Sequence, residues 1–278
     1  MSTSAGLRAV PPSSATTEQR PECVIRIANL SKVFSTASGD RVCALENVSL
    51  NVARGEFISV VGPSGCGKST LLKILAGLIP RSGGIVEVGG LPVQGPRRDI
   101  GIVFQAPFLL PWRTVRDNTL LPIDLQGRDR APYEKRVDAL LRLVGLHEFA
   151  NKYPYELSGG MQQRAAITRA LLDDPNILLM DEPFGALDAM MREFMNTELQ
   201  RIWMESRNTV LFITHSIPEA VFLSDRVVAL SARPGRVAEV VQIDLPRPRN
   251  INVMGSDAFG RYTSRIRSHF NLGTGVDL

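Results

Sequence analysis

Gly62-Pro63-Ser64-Gly65-Cys66-Gly67-Lys68-Ser69-Thr70 is the stretch on which the reading of this chain turns. It satisfies G-x-x-x-x-G-K-[ST], and the short, apolar, β-branched run Phe57–Val61 leads into it. A helix is expected over Ser69–Leu78, stopped by Pro80 and the Gly83-Gly84 pair. Strand, glycine loop and helix in that order turn successive backbone N–H groups, and the positive end of a helix, toward one anion. Lys68 supplies a point charge for β- and γ-phosphates, and the Ser69 hydroxyl is placed to ligate Mg2+.

Downstream, Ile177-Leu178-Leu179-Met180-Asp181-Glu182 is an apolar strand that ends in two carboxylates. Strands buried on both faces read as continuously hydrophobic, and open α/β sheets gather ligands at the carboxyl ends of their strands. Asp181 is therefore expected to hold Mg2+, directly or through water, and Glu182 to polarise an attacking water. Further strand patterns at Ile100–Phe104, Val210–Thr214 and Val227–Leu230 alternate with helical ones at Met190–Ser206 and Pro218–Ser224. The fold class expected is α/β, a phosphate-loop NTPase core of RecA-like type with a mainly parallel sheet. Alternating Val24, Ile25, Ile27, Val33 and Phe34, followed by Val42–Val52, predict an antiparallel β layer at the N-terminal side. Between Arg113 and Leu172 the helical period dominates, with Val137, Leu140, Leu141 and Val144 on one face of Tyr133–Val144. This predicts an inserted helical subdomain over about 107–174.

Kinases, GTPases and helicases share these parts, and Leu157-Ser158-Gly159-Gly160-Met161-Gln162-Gln163-Arg164 separates them. Ser158 is a favourable N-cap, Gly159 and Gly160 admit close approach of backbone to a ligand, and the helix that follows presents its positive end. The segment resembles the LSGGQ signature of ATP-binding cassette (ABC) proteins, with Met161 in place of the usual Gln. The resemblance implies that two ATP molecules are clamped head to tail between two copies of the chain. On it, Gln105 matches the Q-loop glutamine that touches Mg2+ or the lytic water, and His215 the H-loop histidine that contacts the γ-phosphate. Gly185-Ala186-Leu187-Asp188 resembles the D-loop, with Gly185 where Ser is frequent, so that Asp188 reaches toward the partner's phosphate loop. Phe34 sits where the family stacks an aromatic on adenine, although an aromatic in a strand is equally a core residue.

The resemblance spans residues 23–245, read as the ABC ATPase domain. Gln105–Asn118 and His215–Arg236 look like the nitrate/sulfonate/taurine importer ATPases, a group that includes subunits assigned to thiamine-precursor pyrimidines and riboflavin. It implies ATP and Mg2+ as cofactors, a second copy of the chain and two transmembrane permease subunits as partners, and a periplasmic or lipid-anchored solute-binding protein reached indirectly. Phe108, Leu109, Leu110 and Trp112 either line the groove for a permease coupling helix or pack within the helical subdomain. A competing reading is an ABC ATPase of cluster-assembly type, not coupled to transport.

With 278 residues, 44% hydrophobic and 22% charged, the chain has the balance of an ordinary globular protein. Three cysteines with no C-x-x-C spacing suggest neither a disulfide framework nor a zinc site, so a reducing compartment is expected. Cys66 lies inside the glycine loop, where helix-terminus N–H groups can favour a thiolate. No stretch has the 18 or more apolar residues of a membrane helix, so a cytoplasmic, non-spanning chain is expected; the resemblance implies a peripheral place at the cytoplasmic face of the membrane. Residues 1–22, rich in Ser, Thr, Pro and Ala, are expected to form a flexible tail, and 246–278 a C-terminal appendage. The latter holds Asp257–Phe270, a helix with Phe259, Tyr262, Ile266 and Phe270 on one face. Of the net charge of +4, residues 246–278 carry +3, with five Arg against two Asp, and 1–22 carry none. The basicity thus belongs to the C-terminal segment and is no argument for nucleic acid.

Overall fold

β3 (Phe57–Val61), the strand that leads into the glycine loop, is buried at all five positions because both of its faces are covered. The computed structural model describes residues 22–36 and 38–271; the tail expected over 1–22 therefore lies outside the described residues, save Glu22. β3 is a central strand of a six-stranded sheet. Around it stand β6 (Ile100–Val103), β7 (Ile177–Asp181), β8 (Thr209–Ile213), β9 (Arg226–Leu230) and β10 (Val237–Gln242), in the order β10-β9-β3-β8-β7-β6. All neighbours are parallel except β10, which runs antiparallel to β9.

Strand periodicity sends alternate residues to two separate cores. Ile58, Val60, Ile177, Leu179, Leu211 and Ile213 face one of them. There they meet a four-stranded antiparallel sheet made of β1 (Cys23–Ser35), β2 (Arg41–Ala53), β4 (Gly83–Val88) and β5 (Leu91–Pro92), together with α1 (Lys68–Leu75). Phe57, Val61, Leu178, Met180, Val210 and Phe212 face the other, which holds the helices that follow. The continuous apolar runs of these strands are thus the mark of a sheet with no solvent face.

α1 stops at Leu75, earlier than the expected Leu78, and the cause is Gly77 and not Pro80. Gly77 has φ +71°, its N–H donates to Ile74 O (3.0 Å), and Leu78 N–H donates to Lys73 O (2.9 Å). This pair of bonds closes a helix through a left-handed residue and satisfies its last carbonyls. A Cβ on Gly77 would stand 2.1 Å from Gly95 O, so the turn is also packed against the chain after β5.

The helical segment comprises α2 (Val115–Thr119), α3 (Leu121–Leu125), α4 (Glu134–Leu143) and α5 (Gly159–Leu171). Val137, Leu141 and Val144 are buried and Leu140 packs at their edge. Arg130 pairs with Asp117 and Asp124, and Arg113 with Asp124, tying the short helices together. α6 (Ala189–Ser206) and α7 (Ile217–Leu223) then flank β8.

Beyond residue 245 the chain stays on the same core. Phe259 and Ile266 of α8 (Asp257–Asn271) are buried with Val221, Phe222 and Val241. Arg249, 3% exposed, donates to the carbonyls of Val221, Phe222 and Ser224 at the end of α7 and to those of Ile243 and Leu245. Arg247 pairs with Asp225 and lies over the Trp203 ring, and Arg265 pairs with Glu239. Much of the positive charge of this segment is accordingly engaged in holding it down.

Candidate nucleotide site

The loop after β3 carries the chain into α1 with Gly67 at the N-cap position, and no side chain caps that helix. The first N–H groups of α1 are thereby left without a side-chain acceptor, which is the state that receives an anion. A cleft of about 580 Å³ opens over them. Ser64, Gly65, Gly67, Lys68, Ser69 and Thr70 form its floor. Phe34, Val42 and Ala44, contributed by the paired strands β1 and β2, form one wall. Gln105, Glu182, His215 and Arg233 complete the lining of the cleft.

Lys68 is 6% exposed, and its ammonium donates to Gly62 O (2.8 Å) and Pro63 O (3.0 Å). Gly62 and Pro63 thus hold the lysine from behind and do not line the cleft. The Ser69 hydroxyl donates to Asp181 Oδ1 at 3.0 Å, which joins the start of α1 to the end of β7. Asp181 is 4% exposed, and burial pushes its carboxyl up, with the Glu182 charge adding to the shift and the Ser69 bond opposing it. A buried carboxylate and a hydroxyl side by side fit a hard divalent cation that takes its remaining ligands from phosphate and water. The described residues hold no cluster of three or more His, Cys, Asp or Glu, so a metal here would depend on its substrate for ligands.

Three side chains come together from the ends of three adjacent strands. Gln105 follows β6, Glu182 follows β7 and His215 follows β8. Glu182 Oε2 is 3.2 Å from His215 Nδ1 and accepts from Gln105 Nε2 at 3.4 Å. Glu182 has φ +46°, a conformation unfavourable for a residue with a Cβ, and its N–H donates to Ile213 O at 2.9 Å. Such strain persists where the surroundings over-determine it, commonly at functional sites.

Sequence reasoning missed the buried support behind these side chains. Glu219 of α7, whose carboxyl is pushed up mainly by burial, accepts from the Thr214 hydroxyl at 2.7 Å and lies 3.4 Å from Arg192. Arg192 in turn donates to Leu187 O at 3.1 Å. The chain from Leu187 through Arg192, Glu219 and Thr214 ends beside His215. Only a cue as weak as a Glu four residues after a His marks it in the sequence.

Other expected site residues stand apart from the cleft. Ser158 caps α5, accepting from Met161 N–H at 3.3 Å, and Asp188 caps α6, accepting from Met191 N–H at 2.9 Å. Neither these two nor Gly159 and Gly160 line the cleft within one chain. Cys66 corrects the expectation of a thiolate: it is 1% exposed, does not line the cleft, and burial pushes its thiol up against the opposing Lys68 charge. The alternatives left open after the Q-loop divide, since Leu109 packs on the core whereas Phe108 and Trp112 are exposed, Trp112 by 70%.

Known proteins resemble the whole arrangement. Residues 45–185 match the ABC transporter family model. An uncharacterized ABC transporter ATP-binding protein of Methanocaldococcus jannaschii is 50% identical over 234 residues, 83% of this chain and 86% of that protein. An aliphatic sulfonates import ATP-binding protein of Bacillus cereus is 43% identical over 90% of this chain and 96% of its own length. A taurine import ATP-binding protein of Rhizobium johnstonii is 47% identical over 81% of this chain and 86% of its own. Among solved structures, a dimeric ATP-binding cassette in a post-hydrolysis state with ADP and Pi superposes with a TM-score of 0.73 at 34% identity, covering 80% of this chain and all of that one. The phosphate loop after β3, the acidic end of β7 and the capped glycine helix α5 are therefore parts of one inherited design, and the chain belongs to the ABC transporter family of ATP-binding proteins.

Proposed function

We propose that this chain is the ATP-hydrolysing subunit of a bacterial-type importer for a small solute of the nitrate/sulfonate/taurine or vitamin-precursor class. It works as a head-to-tail dimer on two permease subunits at the cytoplasmic face of the membrane, fed by a periplasmic or lipid-anchored solute-binding protein. The observation that carries this reading is the convergence of Gln105, Glu182 and His215 beside Lys68, Ser69 and Asp181. The sulfonate and taurine import proteins described above supply the transport context.

Phosphoryl transfer leaves a protein little covalent work, so positioning and charge stabilisation carry the rate. The N–H groups of the loop from Ser64 to Thr70, with Lys68, hold the phosphate chain, and Phe34 packs on the base. Ser69, Asp181 and Gln105 would hold Mg2+, whose positive charge would offset the charge that develops during phosphoryl transfer. Glu182 accepts a hydrogen bond from the attacking water and orients it in line. His215, fixed by Glu182, contacts the γ-phosphate. Ser158, Gly159, Gly160 and Asp188 complete the site from the second copy.

Glu182→Gln tests the reading. ATP binding is expected to survive while turnover falls by about 10²–10⁴-fold and an ATP-bound dimer accumulates on size exclusion. Near-normal turnover removes Glu182 from its role. Recovery of the chain with a membrane permease supports the importer, and stable recovery with iron–sulfur assembly proteins in its place overturns it.

A further inference from the structure

Arg233 is a cation with no polar partner among the described residues. It is exposed, lines the cleft, and makes no hydrogen bond or ion pair among the described residues. One of its guanidinium nitrogens, Nη2, stands 3.8 Å from the position a Cβ would take on Gly65, in the middle of the phosphate loop. Lys68, the other cation of the cleft, already donates to two loop carbonyls. We infer that Arg233 is a further nucleotide-binding residue, whose guanidinium takes the β- and γ-phosphates of a nucleotide bound in its own chain's cleft. The inference rests on the cleft being a nucleotide site, as proposed above.

The turn that carries Arg233 is built as a pedestal. It spans Ser231–Arg236 between β9 and β10, and the Ser231 hydroxyl donates to Pro234 O (3.1 Å) while accepting from Arg236 N–H (3.1 Å). Gly235 N–H donates to Ala44 O and Glu46 N–H donates to Gly235 O, each at 3.0 Å, so the turn is bridged to β2 on the same wall as Val42 and Ala44. Gly235 also lies against the phosphate loop itself: a Cβ there would be 2.1 Å from Cys66 O. Arg236 is held by Glu46, which leaves Arg233 as the free guanidinium of the pair. Turn, β2 and phosphate loop therefore move as one body, and the planar fork of Arg233 is presented where its N–H groups can meet two phosphate oxygens at once.

The test is competition of ATP, ADP and AMP against a fluorescent nucleotide on the full chain with Mg2+, for the wild type, Arg233→Met, Arg233→Lys and Arg236→Met. Arg233→Met is expected to weaken ATP and ADP by about tenfold, as for one exposed charge-assisted contact, and AMP by less than about twofold. Arg233→Lys should recover part of the loss because it keeps the charge, and Arg236→Met should bind all three as the wild type does. Unchanged affinity for ATP and ADP in Arg233→Met overturns the inference. Equal losses for ATP, ADP and AMP also overturn it, since they assign Arg233 to the base or ribose, as does a loss that Arg233→Lys does not relieve. Failure of the wild type to bind ATP would instead strike the proposed function, so the two failures are distinct. The melting midpoint of the nucleotide-free Arg233→Met protein should match the wild type, because the exposed side chain makes no hydrogen bond or ion pair among the described residues.

Discussion

Replacing Arg249 with methionine should loosen the C-terminal third of the molecule by an amount that follows from its hydrogen bonds. The guanidinium donates to five carbonyls at 2.8–3.3 Å, three of them the buried carbonyls at the C-terminal end of α7 (Val221, Phe222 and Ser224). Burial and the neighbouring Arg247 charge push its pKa down to about 10, against the favourable Asp225 charge, so these acceptors are central to keeping a positive group there. Methionine fills similar volume and leaves the carbonyls dry and unpaired. At about 1 kcal/mol for each of the three helix-end acceptors the loss is roughly 3 kcal/mol. The Ile243 and Leu245 carbonyls add to it, and removal of a buried cation gives part of it back. For a chain of this size about 3 kcal/mol corresponds to a fall of about 6–12 °C in the thermal midpoint, measurable by circular dichroism. Lysine, with three donors and no planar fork, should fall between the two. A midpoint for Arg249→Met within about 2 °C of wild type would refute the reasoning that this cation serves as the cap of α7.

Three further expectations follow from the same structure. Gly77→Ala forces a Cβ to within 2.1 Å of Gly95 O at φ +71° and should cost about 2 kcal/mol or more in urea unfolding; unaltered stability would show that the turn can shift. Asp124, held below the usual carboxylate range chiefly by its hydrogen bond to Arg130, stabilises the native state fully above its unfolded pKa, about 3.9, and that stability disappears as pH falls through the lower folded value. Asp124→Asn should therefore lose stability less steeply than wild type below about pH 4, and parallel curves of urea midpoint against pH would dismiss the link. Cys66, buried and with a raised thiol pKa, should resist iodoacetamide at neutral pH with or without MgATP while the exposed Cys23 reacts first; rapid labelling of Cys66 by mass spectrometry would contradict its placement.

The strands and their order of use were legible because a sheet covered on both faces leaves a plain trace. Phe57–Val61 reads as a strand from its composition alone, and β3 has those same bounds. Helix ends were less legible: Pro80 is the conspicuous breaker, but Gly77 acts first because its positive φ and the approach of Gly95 are matters of packing. The phosphate loop and the acidic strand end are local, and they stood out. Arg233, Arg192 and Glu219 did not, since each gains its meaning from a neighbour across the fold. In the sequence Arg249 is only one of the five Arg of residues 246–278; only the folded chain reveals the end of α7 waiting for it. Cys66 misled for the opposite reason, because its sequence neighbours suggest exposure to the loop's N–H groups while its side chain turns inward.

Within one chain the cleft is walled by Phe34, Gln105, Glu182 and His215, while the capped helix that begins at Ser158 contributes nothing to it. On the proposed head-to-tail arrangement a second copy completes the site, and such a site would obey mass action. In dilute solution the number of complete sites should grow with the square of protein concentration, and specific activity should fall on dilution although each chain still binds nucleotide. Tethering two chains to one membrane complex replaces that dependence with a fixed effective concentration, commonly in the millimolar range for short tethers. Turnover would then be set by how the tethers orient the pair and no longer by how often two chains meet, which gives a membrane partner control of the reaction without touching a reacting atom.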